Sequence, residues 1–513
     1  MSTTHGGMVV ASHPLAIEAG LAVLRDGGSA VDAAVAASAV LAVVDPRSTS
    51  LAGDLFALCW EPGEQEPVGL AAAGPAPDGM TAETLRSSGH AEMPADGPWT
   101  VTVPGAPWGW SRLLERFGRL GPERVLAPAI KAARDGYVVT PVVAEEWRRG
   151  EEKLRRYGVV DDAFLPGGGV PNRGDRLRNA DLAQTLELFV AEGHEPFYRG
   201  PLASAMAAAV KKLGGPLAAE DLAAWSGPTW VRPIRSSFRG VDVFEMPPPG
   251  QGIVVLEAMR IYESLDATSW SEADHLLVES LKVAFDDASD VVADPDFETV
   301  PVDVLLSDAH RDAVAARVTG QAAGSRAPGQ ASDTVYVAVV DGSGSACSLI
   351  QSLYEGFGSG ILVEGTGLML HNRGNGFTLR DGHPNRPEGG KRPYHTIIPA
   401  MLGDGGRFLG CLGIVGGFMQ PQGQLQILRN LIDRGMSPQE AVDAARFRVL
   451  GDGVLGLEPE YDPEIAGDLS ARGHRLTALP RFDYGGAQVI MRTVDGLEGG
   501  SDRRKDGHVG TVD

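Results

Sequence analysis

Thr334 heads the run TVYVAVVDGSGSAC, in which Val335, Val337 and Val339 alternate with Tyr336, Ala338 and Val340 before a turn at 341–344. This pattern predicts a β-strand running into a hairpin. A threonine hydroxyl inside a chain is a weak nucleophile and needs a base beside it. If the bond before Thr334 were cut, the freed α-amine, with a reference pKa of about 8, could take the hydroxyl proton itself. The upstream run from Gly320 to Ala331, rich in Gly, Ala and Ser, is what a self-cleaving junction requires, because the old chain end must move away. Taken alone, Thr334 reads first as the opening residue of a strand.

Two further stretches carry chemistry. In FLGCLGIVGGFMQPQGQ (408–424) a strand runs through Gly416 and Gly417 into a helix. Paired glycines leave backbone N–H groups uncovered, which suits an oxyanion, although a plain strand-to-helix turn has the same composition. The segment 367–399 is dense in side-chain donors and acceptors: His371, Asn372, Arg373, Asn375, Lys391, Arg392, His395 and Thr396. Loops of this kind line binding sites or simply face water. Neither the Ser343 turn nor the Gly167–Gly169 run has the flanking residues of a nucleophile elbow or a phosphate loop.

The elements that must hold these groups are legible as periodicity. Helices are expected over 14–25, 31–44, 108–117, 121–134, 179–192, 201–213, 219–224, 253–264, 273–292, 422–434 and 438–446. Strands are expected over 55–60, 229–245, 334–340, 346–352, 367–370, 396–401, 408–412 and 487–494, while 62–100 and 165–178 read as surface loops. The chain divides near residue 325, more helical before it and richer in strands after it. The expectation is a layered α+β body assembled from two unequal segments.

With 513 residues, 43% hydrophobic and 22% charged, the chain is long enough for two units or one large α/β body. A net charge of −22 disfavours nucleic acid and anionic membrane as partners. Cys59, Cys347 and Cys411 lack metal-ligand spacing and read as buried free thiols. The N-terminus has no signal-peptide pattern, and 30–45 is too weakly apolar to span a bilayer, so a cytoplasmic location is expected.

Together these blocks resemble the γ-glutamyltransferase family of N-terminal-nucleophile hydrolases. The resemblance runs in order from GMVVASHPLAIEAGLAVLRDGGSAVDAAVAAS through VPGAPWGW, FRGVDVFEMPPPGQG and DTVYVAVVDGSGSACS to FGSGILVEGTGLMLHNR, KRPYHTIIP, GIVGGFMQPQ and GGSDRRKDG. It implies a four-layer αββα sandwich and a precursor that cuts itself between Asp333 and Thr334. The fragments would be residues 1–333 and 334–513, of 333 and 180 residues, remaining together as a heterodimer. It further implies Thr334 as nucleophile, Gly416 and Gly417 as oxyanion donors, and Ser352 as a supporting hydroxyl. No metal or organic cofactor is called for.

The departures from the family pattern concern substrate. The position of the family's carboxylate-binding arginine falls on Ala71, and no arginine lies between residues 48 and 85. The glutamine and acid that hold the α-amine correspond to Arg373 and Gly376, and the serine pair corresponds to His395 and Thr396. The pattern is similar to the oxamate amidohydrolase and glutathione-hydrolase-like branch. It implies hydrolysis of a small acyl amide, with Arg373 as a carboxylate fork and Tyr354, His395 and Thr396 shaping the pocket. The alternatives are a γ-glutamyl hydrolase or transferase, an inactive binding relative, and C–C bond cleavage by the same nucleophile.

Overall fold

The computed structural model describes residues 3–4, 6–329 and 333–513. Residues 330–332, the end of the small-residue run before Asp333, lie outside the described residues. Two seven-stranded antiparallel sheets form the centre. The first runs, edge to edge, His508–Val512, Gly7–Ala11, Asp333–Val340, Ala346–Tyr354, Asp54–Trp60, Val68–Ala72 and Thr229–Val231. The second runs Thr3–Thr4, Gly496–Ser501, Gly486–Thr493, Arg407–Val415, Ala400–Asp404, Val241–Glu245 and Ile234–Phe238.

The valine alternation explains the layering. Val335, Val337 and Val339 face an outer core shared with the helices Pro14–Arg25, Ala30–Val44 and Pro122–Asp135. Tyr336, Ala338 and Val340 face inward, meeting Phe244, Met401, Cys411 and Ile490 of the other sheet. A third core joins that sheet to the helices Gly252–Glu263, Trp270–Val291 and Met419–Ile432. A strand apolar on both faces belongs in the middle of such a stack. Close approach of the sheets uses Gly413, where an added Cβ would sit 2.3 Å from the Tyr336 ring. The result is the expected αββα sandwich.

The alanine-rich helix Ala30–Val44 is buried along its whole length and capped by Ser29 and Asp32 in a reciprocal box. Among the described residues no helix is long and apolar enough to cross a membrane. The three cysteines are free and buried as expected, and strand register places Cys59 directly opposite Cys347.

Three expectations need correction. The stretch 62–100 is not all surface loop: Val68–Ala72 is a strand and Ala82–Ser87 a helix. The loop 165–178 ends in the two-residue strand Arg176–Leu177. The expected strand 396–401 begins only at Ala400. Side chains replace the ladder before that point. The Gln251 and Gln424 amides donate to the carbonyls of Thr396 and Ile398, both at 2.6 Å, and Gln420 accepts from the Ile398 N–H at 3.0 Å. Backbone groups satisfied by glutamines have no need of a neighbouring strand.

Candidate active site

Thr334 stands at the head of the central strand, only 2% exposed. Its Oγ donates to the Asp333 carbonyl oxygen at 2.7 Å and lies 3.0 Å from the Ser352 Oγ. Ser352 Oγ also donates to the same carbonyl, at 2.9 Å, and accepts from the Tyr354 N–H at 2.8 Å. The Tyr354 amide thus occupies a Ser352 lone pair and leaves its proton for the Asp333 oxygen. One peptide carbonyl, between Asp333 and Thr334, is therefore polarised by two hydroxyls. A register shift between Asp333 and Val335 bends the strand at this point.

Tyr354 adopts φ +78°, a left-handed conformation costly for an aromatic residue. The turn lays its ring over the Arg373 guanidinium, 4.5 Å from the centroid. Arg373 is wholly buried. Its Nε donates to Asp54 Oδ2 at 3.2 Å and its Nη1 to Thr396 Oγ1 at 3.1 Å, while Nη2 has no hydrogen-bond partner. A two-pronged carboxylate fork requires two free nitrogens on one edge, whereas one guanidinium nitrogen remains free here.

Asp54 is the hub. It sits opposite Ser352 in the strand register, and Arg373, His371 and His395 converge on its Oδ2 at 3.2, 3.3 and 3.3 Å. Burial alone would raise this carboxyl, yet His371 and His395 facing it hold it well below the usual carboxylate range. His395 is lowered by its own burial, stacks on Phe56, and lies 2.6 Å from the Pro393 carbonyl through Nδ1. Removing the hub charge strands Arg373. Asp54→Asn is expected to lose about 3–5 kcal/mol of stability, measured by chemical denaturation. Unchanged stability would remove the hub from this account.

Gly416 and Gly417, at φ +121° and +59°, turn the strand Arg407–Val415 into the helix Met419–Ile432. Their carbonyls are taken by the Met419 and Gln420 N–H groups, and Gln251 Nε2 bridges Gly417 to Thr396. The glycine turn is thereby tied to the Arg373 cluster. A cleft of about 360 Å³ opens beside it, lined by Tyr354, Glu355, Asn375, Gly376, Tyr394 and Phe418, with Arg326 to Gly329 as part of its wall.

Of the sequence-derived residues, Tyr354 lines this cleft, while Arg373, His395 and Thr396 stand behind it. Asp54, Gln251, Tyr394 and Glu355 were not singled out. An aspartate opening the otherwise apolar run DLFALCW was the one available signal among them.

A two-sheet sandwich with a threonine hydroxyl seated on its own upstream carbonyl defines an N-terminal-nucleophile hydrolase. The chain belongs to the gamma-glutamyltranspeptidase family, whose profile it matches over residues 16–512, and it is a self-processing amide-bond hydrolase. It is 35% identical to the glutathione hydrolase-like YwrD proenzyme of Bacillus subtilis, over 98% of this chain and 97% of that one. It is 36% identical to the oxamate amidohydrolase proenzyme of Klebsiella pneumoniae, over 98% of each. Among solved structures, the cephalosporin acylase from Bacillus halodurans superimposes with a TM-score of 0.95 at 39% identity, covering 100% of this chain and 97% of that one.

Proposed function

We propose that the chain cuts itself between Asp333 and Thr334 and that Thr334 then hydrolyses small acyl amides. The observation that carries this reading is the double hydroxyl contact on the Asp333 carbonyl. Thr334 Oγ attacks that carbon and the charge on the oxygen is held by Ser352 Oγ–H. The C–N bond breaks, the Thr334 nitrogen takes the proton, and water hydrolyses the resulting ester. The freed amine is then the base for Oγ against a substrate amide. A tetrahedral intermediate forms with its oxyanion toward the N–H groups of Gly416 and Gly417, the amine departs with a proton to leave an acyl-enzyme on Oγ, and water releases the acid.

The two fragments stay together in this reading because strand Gly7–Ala11 is paired on both sides by residues of the smaller one, Val337–Val340 and His508–Val512. Arg373 acts from behind Tyr354, its charge offset by Asp54, and offers a substrate one nitrogen. His395 and Thr396 hold that arrangement in place.

The likeness to the Klebsiella oxamate amidohydrolase supports a small acyl amide as substrate. The likeness to the glutathione hydrolase proenzyme of Escherichia coli, 31% identical over 97% of this chain, keeps γ-glutamyl compounds as the second reading. Release of ammonia from oxamate and simple amides, set against release of nitroaniline from γ-glutamyl-p-nitroanilide, separates them. The expected result is faster turnover of amides lacking an α-amino group. A clear preference for the γ-glutamyl anilide would reverse the assignment.

A further inference from the structure

The ion pair at the junction involves a residue that the machinery above does not use. Arg47 pairs with the Asp333 carboxylate, and the two side chains are 9% and 13% exposed. The Arg47 carbonyl accepts from the Phe357 N–H at 2.8 Å, which fixes the residue under the turn at Gly356. A Cβ on Gly356 would stand 2.6 Å from Arg47 Nη2 and 2.7 Å from Asp333 Oδ2, so a glycine leaves room for the pair.

Neighbouring cations have partners of their own. Lys153 donates to the carbonyls of Gly356 and Gly358 at 2.8 and 3.0 Å and lies 3.9 Å from Glu355. Arg149 pairs with Asp483 at 2.9 Å, and Lys505 pairs with Glu146. Asp45 completes the buried acids here, its carboxyl pushed up to about 7 by burial and by Glu146. Among the described residues, Asp333 is the sole ion-pair partner of Arg47, and its Nε has no hydrogen-bond partner.

Self-cleavage passes through an ester. The Thr334 Oγ–C bond forms, the N–C bond breaks, and the hydroxyl proton ends on the nitrogen. At that stage Asp333 is the acyl group on Thr334, the same chemical species that a substrate gives. Its carboxylate lies two carbons beyond the reacting carbonyl and rests on Arg47. Hydrolysis then frees the Asp333 end, and once that end moves away a buried guanidinium is left without its counter-charge, a costly state unless an anion replaces it.

We propose that Arg47 is the carboxylate subsite of the processed enzyme, and that its substrates are half-amides of a four-carbon diacid, with a carboxylate two carbons beyond the scissile carbonyl. This rests on Thr334 being the nucleophile.

The test compares the p-nitroanilide of succinic acid with its uncharged succinamide counterpart, each chain first checked by mass for the cut. Wild type is expected to favour the charged anilide by about tenfold in kcat/KM, a charge-assisted contact. Arg47→Gln should bring the ratio close to one, while Arg47→Lys keeps part of it. Calorimetric binding of succinate to the processed protein gives a readout independent of turnover, expected in wild type and weakened about tenfold in Arg47→Gln. Equal kcat/KM for the two anilides in wild type, with Thr334→Ala inert, would overturn the subsite and leave the nucleophile standing. Hydrolysis of neither anilide together with no succinate binding would overturn the subsite too. Should Arg47→Gln remain uncut, the wild-type ratio and succinate binding decide.

Discussion

Thr334→Ala should yield a single uncut chain whose amide hydrolysis falls by about 10⁴-fold or more, in line with other nucleophile deletions. Both losses have one origin. The Oγ seated 2.7 Å from the Asp333 carbonyl oxygen is the group that attacks its own chain first and a substrate later. The substitution removes a small side chain from a strand end without leaving a buried charge, so the fold should persist, as circular dichroism would verify. Thr334→Ser retains a hydroxyl and should still cut itself, more slowly, because the lost methyl no longer restricts the Oγ rotamer. An alanine variant that matured and turned over at the wild-type rate would place the nucleophile elsewhere.

Ser352→Ala carries the second-largest expected effect, on self-cleavage. Its hydroxyl contacts both the attacking Oγ and the oxygen that must accept charge, and the Tyr354 N–H directs its proton to that oxygen. Removing one oxyanion donor costs about 10²–10³ in rate, so maturation that is complete in wild type should be followed over hours in the variant. Gel analysis of samples taken from the time of purification measures this directly. Ser352→Thr restores a hydroxyl and should recover most of the rate. Cutting at the wild-type rate in Ser352→Ala would confine the residue to a packing role.

Much of the sandwich could be read from periodicity, because strands apolar on both faces and helices with caps leave strong local signals. The alternation from Val335 to Val340 foretold a strand running into a hairpin, and the structure gives each of its faces a core of its own. Val68–Ala72 escaped because a five-residue run, three of it Gly or Ala, set among prolines and glycines carries little pattern. The stretch from Thr396 to Pro399 misled in the opposite direction: it has strand composition, but Gln251, Gln420 and Gln424 take the bonds that a neighbour would have made.

The site shows the same division. Thr334, Gly416 and Gly417 could be singled out because their chemistry shows in residue type and order. Ser352 entered through family resemblance, and the structure brings its hydroxyl to that of Thr334. Arg373 stood out as a charge in a polar loop, yet its pairing with Asp54 spans 319 residues of chain and left no local trace. Arg47 is similar, a single basic residue after a proline whose partner is 286 positions away. Long-range ion pairs are invisible to spacing, and they decide here which arginine has a nitrogen to offer.

The central claim is the position of the cut, and intact-mass measurement of the purified wild-type protein tests it most directly. The account predicts two fragments of 333 and 180 residues, the smaller beginning at Thr334, where Thr334→Ala gives one chain. A well-folded wild-type protein that stays whole, or one cut at another bond, would contradict it.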